Sequence, residues 1–334
     1  MTASTTTTMN AIVQTRYGGP EALVRAEVPV PAPGPGEVIV RVVAAGLDAG
    51  LVHLLEGRPR PVRWAMPLRG TRVLGSDFSG TIHALGPDVS GLAVGQQVFG
   101  TAQMGAGSLA EYARARVDKL APKPAGLSHE EAAAVPVSAT TALRAVRDAA
   151  QVQAGQRVLI LGVAGGVGHF AAQLAVGRGS EVTGACSTAK VALAERLGIA
   201  RAIDYTRSDP LSAGPFDAII DTGGHRSLQD LRRALGEHGT LVLVGSEPEG
   251  DPLGGLGRGL RAALLNPLSR QKLVTLLSTE HRDALRDLTA EIDADRLRPV
   301  IDRVFPLAET ADAVRRLGRG KGTAKTVIRV APNS

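Results

Sequence analysis

The stretch Val158–Gly168, Val-Leu-Ile-Leu-Gly-Val-Ala-Gly-Gly-Val-Gly, is a short apolar run that breaks into glycines and passes into the helical pattern Phe170-Ala-Ala-Gln-Leu-Ala-Val176. This arrangement can hold a dinucleotide pyrophosphate. Gly165, Gly166 and Gly168 permit a sharp turn, a close backbone approach to phosphate and tight packing of helix on strand. Ala164 and Val167 complete the loop, and the helix that follows offers unpaired N–H groups and the positive end of its dipole. Val163 stands where the strict fingerprint has its first glycine; that puts the subclass in question more than the phosphate site. A merely tight structural turn is the competing reading.

The residues after the loop narrow the cofactor. About 20 residues beyond the glycines, an NAD site places Asp or Glu on the adenosine ribose hydroxyls. Here the strand pattern Glu181–Cys186 ends in Ser187-Thr-Ala-Lys190, with no carboxylate. A 2′-phosphate would meet a hydroxyl and a cation, which favours NADPH on charge grounds. Alternatively, Ser187 caps the next helix and Lys190 is a solvated first-turn residue.

These groups need a scaffold, and 334 residues are enough for two domains. A hydrophobic fraction of 44% and a charged fraction of 21% are those of a globular protein. No window has the length of an apolar membrane span, and the N-terminus lacks a basic-plus-apolar signal arrangement, so a cytoplasmic protein is expected. The single cysteine, Cys186, excludes an internal disulfide framework and a cysteine zinc cluster. A net charge of +6 does not point to nucleic acid: cations are interleaved with acids, and aromatic residues make up only 3%.

Residues 1–8 form a polar low-complexity leader, expected to be disordered. From Asn10 to Ala121 short β runs alternate with Gly/Pro punctuation, among them Val38–Val43, Gln97–Gly100 and Ala110–Ala113. Ser128 to Glu131 reads as a helix capping box, and Val137–Ala149 as helix. Strand and helix patterns then alternate: Glu181–Ala185, helix Ala189–Leu197, Ala202–Asp204, Phe216–Asp221, helix Ser227–Leu235 and Thr240–Val244. That is the signature of an α/β fold with a doubly wound parallel sheet. Leu273–Leu277 adds a late apolar strand, followed by Val300–Phe305, a helix around Thr310–Leu317 and Lys325–Val330.

The chain resembles the medium-chain dehydrogenase/reductase superfamily, most closely its zinc-independent quinone and enone reductase branch. Besides the glycine loop, the marks are Tyr17-Gly-Gly-Pro20, Pro33-Gly-Pro-Gly-Glu37, Ala44-Ala-Gly-Leu-Asp48, Gly75-Ser-Asp-Phe-Ser-Gly80, Gly107-Ser-Leu-Ala-Glu-Tyr112, Ala202-Ile-Asp-Tyr205 and Asp221-Thr-Gly-Gly224. The resemblance implies a GroES-like β-rich substrate domain, 9–128 completed by 298–334, and a Rossmann NADP(H) domain, 129–297, with the site in the cleft between them. It brings Tyr205 to the 2′-phosphate beside Ser187 and Lys190. It also implies cofactor contacts at Thr222, Gly223, Gly245 and Ser246, a substrate contact at Thr141, and a homodimer formed through the sheet edge at Leu273–Leu277.

Zinc-dependent relatives carry Cys where this chain has Asp48, and Gly-His-Glu where it has Gly75-Ser76-Asp77. Both changes remove ligands, and His129, His169 and the other histidines form no close-spaced ligand set, so no metal site is expected. Asp48 has two readings: orienting substrate or nicotinamide ribose, or capping the following helix. His53 either gives a proton or hydrogen bond to a substrate oxygen or is a surface or packing histidine. Trp64, the one tryptophan, walls the pocket or packs in the core. The leading expectation is an NADPH-dependent reductase of conjugated enones or quinones. A zinc-free alcohol dehydrogenase, or a natural-product pathway reductase whose hydride addition drives cyclisation, is the alternative, and a non-catalytic NADPH-binding sensor the third.

Overall fold

In the computed structural model, which describes residues 7–58, 62–68, 70–244, 256–266, 269–276, 281–320 and 322–331, the first part of the chain forms eight strands. They are β1 (Thr8–Gln14), β2 (Leu23–Pro29), β3 (Glu37–Leu47), β4 (Arg72–Val73), β5 (Asp77–Leu85), β6 (Gln97–Thr101), β7 (Tyr112–Arg116) and β8 (Leu120–Pro122). The next six are β9 (Arg157–Leu161), β10 (Glu181–Cys186), β11 (Arg201–Asp204), β12 (Phe216–Asp221), β13 (Leu235–Leu243) and β14 (Lys272–Thr275). Two more, β15 (Ile301–Pro306) and β16 (Lys325–Arg329), return to the first unit.

The chain divides into two compact units, Met1–Val137 with Glu280–Asp293 and Pro299–Ser334, and Ser138–Thr279 with Ala294–Arg298. The expected divisions at 128/129 and 297/298 lie elsewhere for a packing reason. The helix His129–Ala133 lies so close to β3 that a Cβ added to Gly46 would meet the Ala133 carbonyl oxygen at 2.2 Å. Helix Arg282–Asp293 is likewise tied to the first unit, Arg282 donating to the carbonyls of Leu120 (3.3 Å) and Val117. The strand β1 starts at Thr8, the last residue of the expected leader; residues 1–6 lie outside the described residues.

In the first unit β3 is the hub, pairing with β5, β7 and β16. Val38, Val40 and Val42 are fully buried against Phe78, Ile82, Val98 and Leu120, while Leu47 joins Leu55, Leu74, Leu109 and Ile328 in a second cluster. Because β3 is covered along its length, its sequence reads as a continuous apolar run with few breaks. Several observed ends differ from the pattern by one to three residues, as ends fray and cap.

The capping box is present: Ser128 Oγ accepts from the Glu131 N–H (3.2 Å) and Glu131 reaches back to the Ser128 N–H (2.8 Å). Behind it, the Ser79 hydroxyl donates to the Val98 carbonyl (3.2 Å) and lies 2.8 Å from His129 Nδ1. This contact holds the half-buried ring against β5.

In the second unit the sheet is wholly parallel, in the order β11-β10-β9-β12-β13-β14. Counted from its first strand this is the dinucleotide-binding order, and it reverses between β9 and β12. Val158, Leu159 and Ile160 of β9 are fully buried, as a strand covered by helices on both faces requires. The expected helix Val137–Ala149 is an α-helix over Pro136–Leu143 that widens into a π-type turn over Arg144–Ala149. The expected helix Ala189–Leu197 is a 3₁₀ turn, Thr188–Lys190, and a helix over Val191–Arg196. The last strand stops at Thr275, so Leu277 of the expected strand lies outside the described residues.

The left-handed residue of the glycine loop is Gly162 (φ +78°), one position before the vacant fingerprint site. Val163 is instead a fully buried residue whose side chain fills the space that a Cβ on Gly184 would occupy, 2.8 Å away. The helix Gly168–Val176 starts directly against the strand end: a Cβ on Gly168 would lie 2.1 Å from the Gly162 carbonyl oxygen.

Two predictions follow from this packing. Burial, and then the neighbouring Lys123 ammonium, holds His129 below the ordinary imidazole value. The unfolded chain therefore binds the proton first, and stability falls as pH drops below about 6.5 towards the lower folded value. Thermal melts of His129→Gln should show a shallower loss over that range than the parent chain. Gly168→Ala forces backbone apart and should cost about 3 kcal/mol or more, with dinucleotide affinity down at least tenfold. Gly126→Ala, where nothing lies within 4 Å of the added atom, should change neither reading in calorimetry and cofactor titration.

Candidate nucleotide and substrate site

At the carboxyl end of β9, Gly165, Gly166 and Val167 are partly exposed while Ala164 and Gly168 are buried. The Gly165 carbonyl is pinned by the N–H of His169 (3.2 Å) and by its ring Nδ1–H (2.9 Å). His169 is fully buried, and since a carbonyl only accepts, the proton sits on Nδ1. The helix has no side-chain cap, leaving its first N–H groups for an anion at the loop crest. Sequence reasoning missed both Gly162 and His169, although a glycine one position upstream and a histidine directly after the last glycine were visible signals.

Parallel pairing brings the next candidates together. Cys186 and Asp204 are in register at the ends of β10 and β11, so Ser187 and Tyr205 follow side by side. The Tyr205 N–H donates to the Cys186 carbonyl (3.0 Å), and the Lys190 N–H to the Ser187 carbonyl (2.9 Å). Ser187 holds the N-cap position of the 3₁₀ turn, yet its hydroxyl makes no capping bond. Tyr205 is 53% exposed, which leaves its ring and hydroxyl available at this rim. Burial, and then the Asp204 carboxylate, raises the Cys186 thiol above its usual value, so it is no nucleophile.

A carboxylate does stand on the rim, one strand beyond the position an NAD site uses. Asp204 Oδ1 accepts from the N–H and hydroxyl of Thr206 (2.9 and 2.7 Å). The Thr188 hydroxyl, then Thr206, holds Asp204 below the usual carboxylate range. Its Oδ1 is thus engaged by Thr206 of its own turn.

At the end of β12, Thr222 Oγ1 donates to the Leu161 carbonyl (2.7 Å), and Gly223 follows in a partly exposed turn. Gly245 and Ser246 lie outside the described residues. Thr141 is buried on its helix.

In the first unit, Asp48 caps the helix Ala49–Glu56, its Oδ1 accepting from the Leu51 N–H (3.1 Å). His53 lies half-buried in the last turn of that helix. The core-packing reading of Trp64 is corrected: the residue is 87% exposed. Its short helix, Val62–Ala65, is fastened through other groups. Arg63 donates to the Glu56 carbonyl (2.7 Å) and lies over the Tyr17 ring, while the Tyr17 hydroxyl donates to the Met66 carbonyl (2.5 Å). Asp77, fully buried, accepts from the Val137 N–H (3.1 Å) and faces Lys325 Nζ at 3.5 Å. Among the described residues, no group of three or more His, Cys, Asp or Glu side chains is arranged to hold a metal. No helix among them is long and apolar enough to cross a membrane.

Known proteins carry the same architecture. Residues 34–125 match the alcohol dehydrogenase GroES-like domain and residues 197–328 match the zinc-binding dehydrogenase family model. A quinone oxidoreductase from Coxiella burnetii superposes with a TM-score of 0.84 at 30% identity, over 97% of this chain and 100% of that one. An NAD-dependent alcohol dehydrogenase superposes at 0.83 and 29%, over 97% and 100%. The 2-methylene-furan-3-one reductase of Solanum lycopersicum is 30% identical over 97% of this chain and 80% of its own. With two family models matched and relatives of 30% identity covering nearly the whole chain, the chain belongs to the medium-chain dehydrogenase/reductase superfamily, in its quinone and enone oxidoreductase branch.

Proposed function

We propose that this oxidoreductase uses NADPH to reduce a conjugated enone or quinone, without zinc. The observation that carries the reading is the rim at the ends of β10 and β11. Ser187, Lys190 and Tyr205 meet there through backbone bonds, and no carboxylate follows β10. A hydroxyl, an ammonium and a phenol suit a 2′-phosphate. Asp204 adds negative charge nearby, but its Oδ1 accepts from Thr206 and its Oδ2 lies 3.7 Å from Arg207 Nε. Ala164, Gly165, Gly166, Val167 and Gly168 take the pyrophosphate, where any added side chain at Gly168 would collide with the strand end. Thr222 and Gly223 border the other half of the cofactor.

The bound cofactor supplies hydride from C4 of its nicotinamide. The chain's own groups have the lesser task of orienting the acceptor. An unactivated ketone concentrates negative charge on one oxygen and calls for a Lewis acid or a placed proton donor. A conjugated acceptor spreads that charge, so hydrogen bonds suffice. Asp48 stands where zinc relatives carry Cys, and its carboxylate is committed to a helix cap. Ser76 stands where they carry His, and Asp77 is locked behind the sheet. His53 is then a hydrogen-bond donor to the substrate oxygen, Trp64 an exposed aromatic face for a flat acceptor, and Thr141 a polar contact. Two copies pair through the edge of β14, next to which Leu260 and Leu264 are exposed on the helix Leu256–Leu265. The single buried thiol suits a reducing compartment, and we place the enzyme in the cytoplasm.

Charge-assisted contacts are worth roughly 1.5–3 kcal/mol each at best. NADPH should therefore bind at least tenfold more tightly than NADH. Lys190→Ala should erode the first affinity and leave the second nearly unchanged; equal affinities in the parent chain would overturn the cofactor reading. With 4-deuterated NADPH and an enone, mass spectrometry should find the label on the carbon β to the carbonyl. Label on the carbinol carbon of a secondary alcohol would instead assign a zinc-free alcohol dehydrogenase; one similar solved structure is an NAD-dependent alcohol dehydrogenase.

A further inference from the structure

The residue that most needs explaining in the second unit is Arg258, the third residue of the helix Leu256–Leu265. Its NH2 lies 2.5 Å from Asp221 Oδ2, and the two side chains are 11% and 1% exposed. Its remaining nitrogens, Nε and NH1, are buried and have no hydrogen-bond partner among the described residues. A guanidinium placed for stability alone would find acceptors for these donors, because burying them unpaired is unfavourable. Among the described residues its side chain pairs with Asp221, and the position of Arg258 is to be understood through that carboxylate.

Asp221 closes β12, and its two oxygens have separate duties. Oδ2 faces Arg258, whereas Oδ1 accepts from the N–H groups of Gly223 (3.1 Å) and Gly224 (3.0 Å). Gly224 has φ +73°, a left-handed conformation open to glycine, and both N–H groups of the turn converge on this one acceptor. Between them, Thr222 reaches the Leu161 carbonyl, and a Cβ on Gly162 would lie 2.5 Å from its Oγ1. The turn therefore abuts the first residue of the glycine loop, at the reversal between β9 and β12 where open α/β sheets receive ligands. The β9–β11 half carries the adenosine end of a dinucleotide, and the half that starts with β12 carries the nicotinamide end.

We propose that Arg258 is a positioning residue of the dinucleotide site: by holding Asp221 in one rotamer it fixes the Thr222–Gly224 turn that borders the nicotinamide half. Arg258 touches neither cofactor nor substrate in this role. The inference rests on the cofactor reading above and adds that the nicotinamide wall is set from behind by a buried ion pair.

Fluorescence and calorimetric titration of the full chain can test it with two ligands, NADPH and 2′,5′-ADP, which fills only the adenosine half. Arg258→Met should weaken NADPH at least tenfold, about 1.4 kcal/mol, and leave 2′,5′-ADP unchanged within twofold. Arg258→Lys, which keeps the charge and loses the planar fork, should give a smaller loss in the same direction, and covers the case in which Arg258→Met does not fold. Arg316→Met, which breaks the Arg316–Asp302 pair of the other unit, should alter neither affinity. NADPH bound by the folded Arg258 variants as tightly as by the parent, or equal losses for both ligands, would overturn the inference alone. A parent chain that binds neither NADPH nor NADH would overturn the cofactor reading and this inference with it.

Discussion

A side chain at position 168 would place its Cβ 2.1 Å from the carbonyl oxygen of Gly162, and the nucleotide-binding unit is organised around that contact. Backbone meets backbone there, so neither partner can rotate away. The contact lets the helix Gly168–Val176 start flush against β9, and directs its uncapped N-terminus to the crest formed by Gly165, Gly166 and Val167. The Gly165 carbonyl is drawn back by His169 and so does not compete with the free N–H groups at the helix start. An anion is the natural complement of such a surface.

In both units the chain uses carboxylates at element ends as fasteners. Asp48 caps a helix, Asp204 closes its own turn with Thr206, Asp221 gathers two N–H groups and a guanidinium, and Asp77 holds the Val137 N–H beside Lys325. Each is engaged by donors, and buried carboxylates left without such donors would carry a large desolvation cost. Their engagement bears on function. Groups committed to structure in this way are less available as metal ligands or proton carriers, which is why the proposed reaction asks little of them.

Much of this was legible before any coordinates. The apolar run into glycines, the switch from β runs to strand–helix alternation after Ser128, and the return to strands after Val300 all reflect local periodicity and turn chemistry, which the residues themselves impose. The co-location of Ser187, Lys190 and Tyr205 was available only in part: the first two are near in sequence, whereas Tyr205 joins them because β10 and β11 pair in parallel with Cys186 opposite Asp204. The exposure of Trp64 was not available at all. A tryptophan is ordinarily an economical core residue, and here its helix is fastened by Arg63 and Tyr17 instead.

The sequence by itself determined the strand and helix alternation, the position of the glycine loop and the absence of a carboxylate after β10. These depend on residue type at short spacing, and short spacing is what a chain specifies without folding. Tertiary structure alone decided that Gly162 is the left-handed residue and Val163 a core residue packed against Gly184, that His169 pins the loop, and that Arg258 stands behind Asp221, 37 residues away. Those contacts arise from sheet register and from the close approach of helices to strand ends. Residues far apart in the chain become neighbours there, and burial rather than local propensity sets which atoms must be paired.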